Sequence, residues 1–519
     1  MKVYLLYEDQ DFNFDASLPP NHEDLIQDLE INTLFQAMAG GDQFLFNVAT
    51  KVLLASSDQP DVIRYRQRIL ADCLSEPTII REMYAIAGDA LEDRRKLWGY
   101  HSPYPAAILP GAVNHLEQAF IRLKQLRAIA DEHLKRFHSD GLTTLFRQLQ
   151  QELDDEYLQT VSYELQALRF HQGTVISADL DRDNSGINLV LRESRHAKPG
   201  WKERIGIGPR SSYSFTVSVD DEWGQRALSD LVSRGINLVA NAAAQSADHI
   251  LSYFTVLRAE LGFYVSCLNL HEQVSAKNVA ICFPDPCASG SLRFSASNLQ
   301  DVSLTLQSDQ PVVGNQINAD GKSMLVITGA NSGGKSTFLR SVGLAQLMMQ
   351  CGLFVTAASY RADVCSGTFT HFSREEDASM TSGRLDGELK RMSAIADQIT
   401  SNSLMLFNES FSSTNEHEGS EIGRQVVHSL LDAAIKVLFV THQFDFAESF
   451  YQDRKDSTLF IRAERQADGR RNYQLHVAEP LPTSFGEDLY YRVGAWLGEC
   501  EQRDPITQQT VEVPAIPTT

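Results

Sequence analysis

The sequence predicts a chain of two parts: a mainly helical N-terminal region carrying a small β-rich insert, then an α/β domain at the C-terminus. Three observations carry that expectation. Apolar residues recur at three and four spacing through most of 21–170 and 222–270, the period of a helix with one buried face. Between these stretches, residues 172–220 switch to alternating and β-branched runs broken by Asp, Asn and Gly, as strands and turns do. Last, an apolar run at 324–328 leads into GANSGGKST and then an amphipathic segment. That is strand, glycine-rich loop and helix in order, the context of a P-loop.

At 519 residues the chain has room for roughly three or four domains. Residues 1–20 form an N-terminal segment, apolar at first and then acidic. The runs "LIQDLEINTLFQAMAG", "VIRYRQRILADCL" and "IIREMYAIAGDALEDRRKLW" open the first helical part, 21–170. Within it "GYHSPYPAAILPG" carries three prolines, which predicts a break before helices resume at Ala112. The insert, 171–221, contains "GTVISADLD", "INLVLRES" and "SYSFTVSVD", read as strands of a small sheet. Helices return over 222–283. The Pro/Cys/Ser-rich "PDPCASGS" after Phe283 marks the main boundary, with the α/β domain over 284–500 and a flexible tail at 501–519.

Net charge is −21, and non-specific nucleic-acid binding depends on a basic footprint that the chain as a whole lacks. The most basic window holds Arg192, Arg195, Lys198, Lys202, Arg204 and Arg210 against Glu193 and Glu203. It reads either as a solvated hairpin or as a phosphate-contacting element with Trp201 to stack on a base. No run of about 18 apolar residues predicts a membrane span, and the acidic turn after "MKVYLLY" does not suit a secretory signal. A cytoplasmic location is expected. The seven cysteines are scattered without a C-x-x-C pair, so free thiols are expected rather than disulfides or zinc.

The glycine-rich loop is the decisive motif. Its residues Gly329, Ala330, Asn331, Ser332, Gly333, Gly334, Lys335, Ser336 and Thr337 would turn backbone N–H groups around phosphates, at the positive end of the following helix. Lys335 would reach the β- and γ-phosphates and Ser336 would bind Mg²⁺. Downstream, "SLMLFNESFSST" reads as a buried strand delivering Asn408 and then Glu409. Glu409 would orient and deprotonate the attacking water. Asn408 stands where such strands usually carry Asp. It keeps an oxygen acceptor for a Mg²⁺-bound water without the negative charge. Slow hydrolysis with a high Mg²⁺ requirement follows. A second apolar strand, "VLFVTHQFD", ends at His442, either a γ-phosphate sensor or a core histidine. Finally, Ser382 and Gly383 precede a helix in "REEDASMTSGRLDGELKRM", a weak anion-binding signal when taken alone. The reading is a Mg²⁺-dependent ATP hydrolase with Lys335, Glu409 and His442 as its catalytic groups.

Over 311–450 these segments together resemble the MutS family of DNA mismatch-repair ATPases, within the ABC-type ATPase class. "TGANSGGKSTFLRSVGLAQLMMQCGLFVTA" follows the family's P-loop and helix. "DASMTSGRLDGELKRM" is similar to its signature segment, "NESFSSTNEHEG" to its Walker B and D-loop, and "THQFDF" to its switch-histidine strand. "PVVGN" resembles the nucleotide-base loop, which implies Asn315 near the adenine and Val312 where an aromatic usually stacks. "PTSFGEDLYYRV" is similar to the segment before the C-terminal helices, and the helical region is similar in layout to the family's core and lever domains. The resemblance implies ATP with Mg²⁺ and a homodimer with shared sites. One chain would supply 329–337, Glu409 and His442, and its partner Ser382 and Gly383. ATP would switch the dimer on DNA or a DNA-bound partner. No room is expected for the family's mismatch-binding and connector domains, so mismatch recognition is not expected of this chain. The alternative is an ATP-gated protein scaffold that binds no DNA. Transporter or chromosome-organising roles lack a full L-S-G-G-Q and long heptad arms.

Overall fold

A computed structural model describes residues 2–97, 105–170, 173–183, 186–192, 216–374, 383–466 and 470–482. Eight helices come first: α1 (His22–Asp28), α2 (Ile31–Ala39), α3 (Gln43–Leu54), α4 (Pro60–Ser75), α5 (Pro77–Leu97), α6 (Pro105–His133), α7 (Asp140–Glu152) and α8 (Asp155–Ala167). A hairpin of β1 (Val175–Leu180) and β2 (Gly186–Arg192) follows, and then α9 (Glu222–Ala276). With 55 residues, α9 is roughly 80 Å long. Its second half is core, with Phe254, Leu257, Leu261 and Phe263 fully buried, whereas Trp223 and Leu238 nearer its start are 81% and 82% exposed. One helix is therefore the centre of the helical part at one end and a projecting arm at the other.

Two sequence expectations are corrected here. The three-proline stretch does not delay the helix to Ala112, because α6 already starts at Pro105 and carries Pro110 inside it. Proline suits the first helical position, and Pro110 removes a single backbone bond. Burial of Leu109 and Val113 against the arm of α9 offsets that loss. The expected third strand, "SYSFTVSVD", lies partly outside the described residues, and its described part, 216–220, is not strand.

The N-terminal segment has no regular structure, yet Val3, Leu5, Leu6 and Phe12 are buried. Side chains satisfy its backbone. Glu260 of α9 accepts N–H bonds from Leu5 at 2.6 Å and Phe12 at 2.8 Å. Tyr264 donates to Leu5 O at 2.5 Å, and Arg66 Nε to Leu6 O at 2.8 Å. The segment is thus a strap clamped between α4 and α9.

The C-terminal part is built on two sheets. One, in the order β3-β7-β4-β5, comprises β3 (Asp285–Cys287), β4 (Phe294–Leu299), β5 (Asn315–Asn318) and β7 (Ser359–Asp363). A short helix α10 (Val302–Gln307) follows β4, and β6 (Met324–Gly329) follows β5. The P-loop helix α11 (Lys335–Gln350) precedes β7. The remaining elements are β8 (Thr368–Phe372), α12 (Arg384–Ala396), β9 (Leu404–Asn408), α13 (Glu416–Asp432), β10 (Lys436–Val440), α14 (Phe444–Asp453), β11 (Thr458–Arg465) and β12 (Arg471–Val477). The larger sheet runs β12-β11-β6-β10-β9-β8, parallel except for the β11–β12 pair. Alternate side chains explain its two covered faces. Leu325, Ile327, Leu404 and Leu406 join α11 and the helical core, while Met324, Val326, Met405 and Phe407 pack with α12, α13 and α14. Parallel strands place the C-terminal ends of β6, β9 and β10 side by side, where ligands bind in such sheets.

Candidate functional site

The loop 329–334 leaves β6 and turns into α11. Gly329 has φ +105°, and a Cβ there would sit 2.8 Å from Ala463 N, so the position demands glycine for both conformation and space. Gly334, at φ +91°, is the N-cap of α11, and no side chain caps that helix. The first-turn N–H groups therefore stand open to an anion at the positive end of the helix dipole. Lys335 is 5% exposed and donates to Gly329 O and Ala330 O, both at 3.0 Å. Burial lowers its pKa. Two of its three ammonium hydrogens stiffen the loop, leaving one for a phosphate oxygen.

Ser336 Oγ donates to Asn408 Oδ1 at 2.9 Å, so the two proposed metal ligands meet, although 72 positions separate them in the chain. The set is all oxygen, which suits Mg²⁺, and neutral, which makes it weak. Glu409 follows at φ +53° with its N–H bonded to Val440 O at 2.9 Å. His442, two residues beyond β10, places Nδ1 3.9 Å from Glu409 Oε1. At that distance they form an ion pair rather than a hydrogen bond. The contact holds Glu409 below the usual carboxylate range and raises His442, in each case against burial. His442 is partly exposed beside the site, not a core histidine.

A cavity of about 500 Å³ opens along the loop, lined by 331–338 and by Glu409, Val312, Asn315 and Tyr473 among others. Asn315 lines it with a committed amide. Its Nδ2 donates to Tyr473 O at 3.3 Å, and its Oδ1 accepts from Leu475 N at 2.8 Å. It therefore braces β12 against β5 rather than offering free polar atoms to a base. Sequence reasoning missed Tyr473, which is half exposed beside Gly334 and gives the cavity an aromatic wall where Val312 gives none. It also missed Asp301, another lining residue. Asp301 accepts from Leu304 N at 2.9 Å and pairs with Arg340 of α11.

Gly383 is the exposed N-cap of α12, again without a side-chain cap. Ser382 lies outside the described residues, as do Arg195, Lys198, Lys202, Arg204 and Arg210. Arg192 ends β2, with Nε donating to Ser177 Oγ at 2.9 Å. Six of the seven cysteines are described, and all six are free. Among the described residues no group of three or more His, Cys, Asp or Glu is placed to hold a metal, and no helix is long and apolar enough to cross a membrane.

Parallel sheet, loop, uncapped helix and convergent strand ends define a P-loop nucleotide-binding protein. Two family models match: the MutS2 N-terminal domain over 58–277 and MutS domain V over 325–487. The DNA mismatch repair protein MutS of Chloroflexus aurantiacus is 29% identical over 213 residues, 38% of this chain and 22% of that protein. The protein of the same name from Porphyromonas gingivalis is 26% identical over 296 residues, 50% of this chain and 33% of its own length. MutS protein homolog 4 of Mus musculus is 34% identical over 203 residues, 35% of this chain and 21% of that protein. The matched region thus spans a third or less of these relatives. The chain belongs to the MutS family, and its C-terminal part is the domain that serves that family as its ATPase.

Proposed function

We propose that this chain hydrolyses ATP with Mg²⁺ and uses the cycle to switch a homodimer on DNA or a DNA-bound partner. The observation that carries the reading is convergence. The uncapped start of α11, Lys335, the Ser336–Asn408 pair and the Glu409–His442 pair all meet at or beside one cavity. Glu409 takes up the proton of the attacking water or orients it, and its lowered pKa keeps it ionised. His442, held close to Glu409, stabilises charge on the γ-phosphate. Ser336 and Asn408 would hold Mg²⁺, which supplies charge neutralisation of the phosphates when bound.

A mechanical output is supported by what touches α11. Arg340 on α11 pairs with Glu30 between α1 and α2. Gly352, just past its far end, backs onto Arg66 of α4, which holds the strap that Glu260 of α9 also grips. A shift at the phosphates therefore has a packed route to the arm. The uncapped, exposed start of α12 at Gly383 supports a site completed by a partner chain. DNA as the ligand rests on the named relatives. The competing reading, an ATP-gated scaffold without DNA, is favoured by the net charge of −21. ATP turnover with and without single-stranded, duplex and branched DNA, on wild type and Glu409→Gln, tests both. Turnover lost in Glu409→Gln and stimulated by one DNA form supports the proposal. Equal turnover in both proteins removes Glu409 from it, and turnover indifferent to every DNA form favours the scaffold. Hydrolysis by a strict monomer, unaffected by Ser382→Ala, removes the shared site.

A further inference from the structure

We propose that Glu388 is a positioning residue for Glu409: it pins the turn after Glu409 to α12, so that α12 sets where the catalytic carboxylate stands. This rests on the reading of Glu409 as the group that handles the attacking water.

Glu409 and Phe411 hold φ of +53° and +60° on either side of Ser410. Left-handed backbone is unfavourable for a non-glycine residue, so such a turn persists only where its surroundings over-determine it. From α12, Glu388 Oε2 accepts the Phe411 N–H at 2.6 Å. Glu388 is 5% exposed, and a carboxylate acceptor makes this bond about twice as strong as a neutral one. Its other oxygen, Oε1, has no hydrogen-bond partner and lies 3.8 Å from Arg384 Nε, which is likewise buried without one. An apolar side chain would fill this place at less cost for packing alone. What the carboxylate adds is the bond to Phe411.

Two further ties join the same elements. His371 is fully buried on β8, with Nε2 3.0 Å from the Glu388 carbonyl and Nδ1 2.8 Å from Ser410 Oγ. A carbonyl only accepts, so Nε2 carries the proton, and the Ser410 hydroxyl, which donates to His371 O at 2.6 Å, also lies against Nδ1. Arg384 Nη2 donates to Ser373 Oγ at 2.5 Å, and Ser373 N–H donates to Asn408 O at 2.9 Å. The first two turns of α12 are thus tied to residues 408, 410 and 411. Gly383, the exposed start of that helix, is where a partner would press. A push there moves Glu409 of the same chain, so a chain's contribution to its partner's site regulates its own.

The test measures ATP turnover, affinity for a fluorescent adenine nucleotide, and melting on the full chain. In Glu388→Ala, kcat falls by about 10²-fold, the effect of misplacing a reacting group by about 1 Å. KM and nucleotide affinity stay within about twofold, since Glu388 does not line the cavity. Glu388→Gln keeps an oxygen for the Phe411 N–H and restores most of kcat. An alanine variant with wild-type kcat overturns the proposal, as does joint loss of kcat and KM without rescue by glutamine. If the alanine variant does not fold, Glu388→Asp decides, because it keeps the charge but withdraws the oxygen by about 1.5 Å. Lowered kcat there supports the proposal, and wild-type kcat overturns it. Glu409→Gln is the control. If it is inactive while Glu388→Ala is normal, only the role of Glu388 fails; if it is active, the reading of Glu409 fails and this inference with it.

Discussion

Asn408 sits where the charge of the metal site is decided. Its Oδ1 is already within hydrogen-bond distance of Ser336, so geometry is kept and only the negative charge is missing. Asn408→Asp should therefore lower the Mg²⁺ concentration for half-maximal turnover by about tenfold, the equivalent of one modest ion contact of ~1.4 kcal/mol. Mg²⁺ titrations of the two proteins measure this, and unchanged dependence would place position 408 outside the metal's reach. The neighbouring Glu409–His442 pair gives a pH signature. His442 titrates above its ordinary value of 6.5, so its charged form is present below that value and lost as pH rises through the raised pKa. Turnover that needs the imidazolium declines on that alkaline side, and His442→Asn removes the limb. A wild-type profile flat across that range contradicts the assigned role.

Among the elements, the N-terminal strap depends on one carboxyl. Burial pushes Glu260 up to about 7 from an ordinary 4.5, against the N–H bonds it accepts. Between those two values the folded chain holds more protons than the unfolded one. Stability from this group is therefore greatest at acid pH and falls as pH rises through the window, by on the order of 3 kcal/mol in all. Wild type should melt higher at pH 5.5 than at pH 8, and Glu260→Gln should flatten that difference even if it melts lower overall. A pH difference equal in both proteins would show that Glu260 is not the group responsible. The strap was hard to read in the sequence, because its partners are 60 to 259 positions away. Helix α6 was misjudged for a different reason. Local proline chemistry argues for a break, and the burial of Leu109 and Val113 overrides it.

For the whole molecule, charge decides how DNA contact is tested. If Arg195, Lys198, Lys202 and Arg204 contact DNA phosphates, neutralising all four should lower affinity. It should also reduce the slope of log affinity against log salt by about 3–4 for duplex DNA. Gel shifts over a salt series read both numbers, and no binding by wild type at low salt supports the protein scaffold. The same protein also tests assembly. Glu409→Gln with ATP should sediment as a dimer, whereas a persistent monomer would leave Gly383 without the partner site proposed for it.

The phosphate loop was legible because its chemistry is contiguous. Nine successive residues fix strand exit, turn and helix start, and no distant contact is needed to specify them. The strand that ends at Asn408, with Glu409 next to it, was legible because burial on both faces leaves an unbroken apolar run before these polar residues. Which groups brace that site was settled by the fold alone. Asn315 and Tyr473 meet across 158 positions, and Glu388 reaches Phe411 from helix α12. Sequence sets the period of each element and the motif inside it. Long-range packing chooses which buried donor faces which acceptor, because a buried polar group left unpaired is costly and takes its partner wherever the chain has brought one.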